Sequence, residues 1–124
     1  MTFPEAAALL MQTGWYLAER IRYAEAELLL QRSLAIYEQQ LGPLHPDTAS
    51  SLNNLAYCYN QQGRYAEAEP LLQRALAINE QQLGPQHPST VITRRNYMSS
   101  LQRMGREAEA EQIEVRSTDS SQQL

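Results

Sequence analysis

The sequence predicts an all-α fold of stacked antiparallel helix pairs, and three observations predict it. Ala, Leu, Gln and Glu dominate the 124 residues while Gly is scarce, and those four are good helix formers. The chain repeats itself at a fixed offset of 42 residues. Each repeat holds two apolar stripes of helical period, separated by Gly or Gly-Pro stops.

The repeat is the strongest of these. Residues 23–64 begin YAEAELLLQRSLAIYEQQLGPLHPDT and residues 65–106 begin YAEAEPLLQRALAINEQQLGPQHPST, with 24 identities in 42 gap-free pairs. The register reaches both ends: Pro4 aligns with Pro46 and Pro88, and 107–116 aligns with 65–74. The expected organisation is one repeat domain over 1–116, with units at 1–22 (a half), 23–64, 65–106 and 107–116 (a half). A polar tail follows at 117–124.

Within a repeat, Leu52, Leu55, Ala56 and Tyr59 fall at i, i+3, i+4, i+7 and make one helical stripe. Gly63 stops it. The second helix carries Ala68, Leu71, Leu72, Ala75, Leu76 and Ile78 and ends at Gly84-Pro85. Pro70 lies about one turn into this helix and removes a backbone donor there. Extending the register predicts about six helices, near 5–20, 23–40, 47–62, 65–82, 89–104 and 107–117, in three pairs. No pair can bury its stripe alone, so neighbours stack into an α-solenoid.

Composition excludes several functions. The formal net charge is −4, which disfavours nucleic acid and anionic membranes as partners. All ten cationic residues are Arg, so no lysine Schiff base or P-loop lysine exists. No apolar run approaches the roughly 20 residues of a membrane span. The N-terminus lacks a signal-peptide pattern, and a lone cysteine fits a reducing compartment, so the expected location is cytoplasmic. His45 and His87 sit at one position of two Gly-Pro-x-His-Pro loops and read as loop structure rather than metal ligands. Cys58 reads as a small buried hydrophobe. Glu25, Glu27, Glu67, Glu69, Glu107, Glu109 and Glu111 cluster at helix starts, where they match the dipole. No catalytic constellation, cofactor motif or metal site is visible, and the chain reads as a non-enzyme.

The strings SLNNLAYCYNQQGRYAEAEPLLQRALAI and LGPLHPDT resemble the tetratricopeptide repeat, in the 42-residue form of kinesin light chains and many bacterial kinesin-light-chain-like arrays. The resemblance covers roughly residues 3–116. It implies small and large core positions at Leu52, Leu55, Ala56, Tyr59, Ala68, Leu72 and Ala75. The last unit departs from this pattern with Arg94, Glu114 and Ser117, and the first with Thr13. It also implies a right-handed stack whose concave groove, lined by each first helix, holds an extended peptide or protein.

Carried over by position, the groove residues are Trp15, Asn53, Asn54, Tyr57, Asn60, Gln61, Arg95, Asn96 and Arg103. Side-chain amides both donate and accept, so a row of them can pair with a peptide backbone without reading its sequence. The same amides could instead tie neighbouring helices together. Trp15 and Tyr57 are equivalent, and each is either a groove or a core residue. Arg95 and Arg103 could meet an acidic ligand residue, whereas the bland reading makes Arg94 and Arg103 solvated charges. The family's clamp for acidic chaperone tails needs Lys and Asn where Met11 and Trp15 stand, so that role is not implied. The competing expectation is a self-associating scaffold, a homodimer formed through the open solenoid ends.

Overall fold

The computed structural model describes residues 3–122, with the side chains at 3, 4, 11, 15 and 118–122 outside the described set. Five helices follow one another: α1 (Phe3–Leu41), α2 (Pro46–Gln61), α3 (Tyr65–Leu83), α4 (Pro88–Arg103) and α5 (Glu107–Gln122). There is no strand among the described residues. The all-α repeat class therefore stands. Each helix packs on its chain neighbours, and α2 also touches α4, as in a stack that grows in one direction.

The helix boundaries follow from caps. α2 and α4 start at His45 and His87, each extended, followed by Pro46 and Pro88 at the first turn. His45 Nδ1 accepts the Asp47 backbone N–H at 3.0 Å, and His87 Nδ1 accepts that of Ser89 at 3.1 Å. The imidazoles thus satisfy orphan donors that the first turn leaves open. Between α2 and α3, Gly63 takes φ +75. Its N–H bonds to Asn60 O and that of Arg64 to Tyr59 O, at 3.0 and 2.9 Å. These are the two bonds of a Schellman turn, and Gly105 with Arg106 repeats them between α4 and α5. α3 runs through Pro70 without a break, and α5 continues to Gln122 instead of ending near 117.

One expectation is corrected. The helices expected at 5–20 and 23–40 are a single 39-residue helix, so the first of the three pairs is not closed. The register supplies the reason. Ile21 stands where Gly63 and Gly105 make their turns, and a β-branched residue is strongly disfavoured at positive φ. Without that turn the backbone keeps its intrahelical bonds and runs on.

The core lies between α2 and its neighbours. All seven core positions implied by the repeat are buried, with Leu52, Ala56, Ala68, Leu72 and Ala75 fully enclosed. Leu55, Ala56, Tyr59, Ala68 and Leu72 form one cluster, against which Leu30, Leu34, Leu71 and Tyr97 pack. Ala49, Leu52, Ala75 and Ile78 form the second.

Arginine staples brace the stack on its turn side. Arg64 reaches Glu27 of α1 at 2.8 Å, bonds Glu67 of α3, and lies 4.4 Å over the Tyr59 ring. Arg106 repeats this one unit later with Glu69 and Glu109. The glutamates read as dipole partners thus also bridge successive units. Hydrogen bonds from Arg64 hold the Glu67 carboxyl below its ordinary 4.5. A carboxyl lowered in the folded state adds stability that is present above its unfolded pKa and lost as pH falls through the folded one. Denaturant midpoints of the parent should therefore decline on acidification below the ordinary carboxylate range. The Glu67→Gln variant should decline less over that window, and parallel pH profiles would show that this staple contributes nothing to folding.

Candidate peptide-binding groove

The groove runs along α2 and α4, the two first helices that the fold sets side by side. Their inward stripes are consumed by the core, which leaves the alternate faces to line two clefts. The larger, about 300 Å³, is lined by Tyr57, Asn60, Gln61, Tyr65, Asn96, Ser99 and Arg103. The smaller, about 130 Å³, is lined by Ser50, Asn53, Asn54, Asn79, Ser89, Ile92 and Thr93. Neither cleft has a carboxylate in its lining, and Arg103 is the one cation among the lining residues.

Most of the sequence-predicted residues come together here. Tyr57 is 57% exposed, which makes it a groove residue and not a core one. Trp15 belongs to α1, whose first half pairs with no helix of its own unit, and its side chain lies outside the described residues. Asn54, Gln61 and Arg103 are exposed, while Asn53, Asn60 and Asn96 are half-buried. Arg95 is separated from this set. It lines another cleft, of about 570 Å³, between α4 and α5 with Val91, Met98, Gln102 and Glu114.

The half-buried amides also serve the fold. Asn96 Nδ2 donates to Asn53 Oδ1 at 3.1 Å, and Ser100 Oγ donates to Asn60 Oδ1 at 3.0 Å. Both bonds cross from α4 to α2, so part of the amide row ties neighbouring helices together. Asn79 was missed by the sequence reading. It is 3% exposed and donates to Thr93 Oγ1 at 3.2 Å, while its Oδ1 has no partner. This acceptor is shielded from solvent beside the smaller cleft. The signal for it in the sequence was an Asn among the apolar positions of α3.

Arg94 is not the solvated charge foreseen for it. It is 6% exposed, with its guanidinium donating to Pro85 O at 2.7 Å and lying 3.8 Å from Glu80. It fills the place that Leu52 holds one unit earlier, and its long aliphatic stem suits that burial. Cys58 is buried, its thiol facing Tyr23 O at 3.7 Å, and burial pushes the thiol above its ordinary 9.0. A raised thiol is a poor nucleophile at neutral pH. Among the described residues no three His, Cys, Asp or Glu side chains converge on a metal site. No helix there is long and apolar enough to cross a membrane.

Stacked helix hairpins with an open, polar groove between first helices are the architecture of a helical repeat module. The tetratricopeptide repeat family model matches residues 5–81 and again 47–123, and the chain belongs to that family. The two matches are displaced by one repeat length. Such repeats generally act as scaffolds that bind proteins or peptides, and they are typically non-enzymatic modules. No curated protein matches the chain.

Proposed function

We propose that the α2–α4 groove binds an extended peptide segment of a partner protein, with an acidic ligand residue at the Arg103 end. The carrying observation is the lining of the two clefts: amides, hydroxyls and phenols with one cation and no anion. Asn54 meets the ligand backbone, Tyr57 supports an apolar side chain, and Arg103 meets the carboxylate. Arg95, on the α5 side, engages a ligand that runs past the end of the larger cleft. Within the family, the 42-residue offset and the Gly-Pro-x-His-Pro loops support the kinesin-light-chain-like form. The lone, buried Cys58 fits a reducing, cytoplasmic setting.

Peptides selected from a random display library against the full chain supply the probe, and titration calorimetry supplies the measurement. Asn54→Ala should weaken binding by about 1–3 kcal/mol at any ionic strength, because it strands a polar group. Arg103→Ala should cost about 0–1 kcal/mol and only at low salt, because an exposed ion pair is screened. Parent-like binding by both variants, with loss on Gln82→Glu of α3, would move the site out of the groove. A second reading, self-association of the scaffold, is favoured by the exposed apolar side chains along the first half of α1.

A further inference from the structure

Two surfaces of this chain lack a partner that the repeat itself specifies. In the closed α2–α3 pair, Leu52 packs with Ala75 and Ile78, and Leu52 and Ile78 are 0% and 2% exposed. Their equivalents in the first unit are Leu10 and Ile36, which are 74% and 53% exposed. Likewise Tyr59 is enclosed while its equivalent Leu17 is 53% exposed. Residues 5–20 thus carry a first-helix stripe with no second helix beneath it. Residues 23–41 carry a second-helix stripe from which the first helix is missing.

The two stripes cannot meet within one chain, because α1 joins them end to end as one rigid helix. They can meet between chains. We propose that two copies of this chain exchange residues 5–20, each segment packing on residues 23–41 of the other copy. The long helices lie antiparallel about a two-fold axis near Ile21 and Arg22. This exchange rests on the self-association reading.

Three features carry it. The required occupant is an apolar first helix, and residues 5–20 are such a helix left without its own second helix. At 1.5 Å per residue a 39-residue helix spans roughly 58 Å, so pairing about its middle sets each first half along the other copy's second half. The exchange also covers both stripes in one step with the packing already seen between α2 and α3, and exchanging an identical element is a low-cost route to a dimer. Ile21 acts as the hinge that has been straightened. A residue able to take positive φ there would let the segment fold back on its own chain.

Sedimentation of the full chain over a range of concentrations reads the outcome. The parent should be dimeric. Ile21→Gly should be monomeric with unchanged helical circular dichroism, and Leu10→Glu should raise the dimer dissociation constant at least about tenfold. Leu10 is too exposed for its replacement to unfold α2–α5. Placing Leu10→Cys and Ser33→Cys in a Cys58→Ser background, and adding a short bis-maleimide, should join two chains covalently. A parent monomeric throughout overturns both the exchange and self-association. A parent dimer that ignores Leu10→Glu, with the two-cysteine variant cross-linked only within each chain, overturns the exchange alone, and leaves contact through another surface.

Discussion

Shortening Leu72 to Ala is expected to destabilise the chain by about 2–5 kcal/mol, the largest loss of any single truncation considered. Leu72 is fully enclosed in the cluster of Leu55, Ala56, Tyr59 and Ala68, and it is the large side chain that α3 contributes there. Its removal forfeits the transfer free energy of the lost groups and opens a cavity that the short, bonded turn at Gly63 gives the two helices little freedom to close. Ile92→Ala provides the reference, because Ile92 is 51% exposed in the groove and should cost less than about 1 kcal/mol. Urea unfolding followed by circular dichroism measures both. Similar midpoints for the two variants would mean that the core does not lie on the Leu72 face.

Enlarging Ala68 to Leu is expected to cost about 1–3 kcal/mol by the opposite route. Ala68 is fully buried where α3 leaves the turn and passes α2, so only a methyl fits between the two backbones. A longer side chain forces the helices apart or leaves its rotamer. Asn54→Ala, at an exposed position, should change stability by less than about 0.5 kcal/mol. Equal losses for the two would contradict the assignment of Ala68 to the inside and Asn54 to the groove. Asn60 is a poorer reference than its groove position suggests, because its truncation also removes the acceptor of the buried Ser100 hydroxyl.

Much of this fold was legible in the residues. The 42-residue register and the Gly and Pro stops placed the ends of α2, α3 and α4 to within one residue. The implied core positions are buried throughout the central repeat, where each helix has a neighbour on both sides. The straightened first pair is legible too. Setting Ile21 under Gly63 in the register shows that the turn residue is missing. The apolar period on either side of it masks the absence, because periodicity does not encode the one φ angle the turn needs.

The candidate groove was legible as a face but not as a set of contacts. Helical period alone turns Asn53, Asn54, Tyr57, Asn60 and Gln61 away from the Leu52 stripe. Whether an amide then meets solvent, a ligand or the next helix depends on how far apart α2 and α4 stand, and no local pattern encodes that distance. So Asn96 binds Asn53 while Asn54 stays exposed, and Arg103 joins the Tyr57 cleft while Arg95 turns towards α5.

The sequence by itself determined the repeat, the helices and their buried stripes, because these follow from local propensity and from a period that each short segment carries. Only the tertiary structure decided which polar groups pair across helices: Arg64 with Glu27, Arg94 with the Pro85 carbonyl, Asn79 with Thr93. Those pairings join residues of different helices and turns, and their strength turns on differences of an ångström in distance and on burial, which packing alone sets.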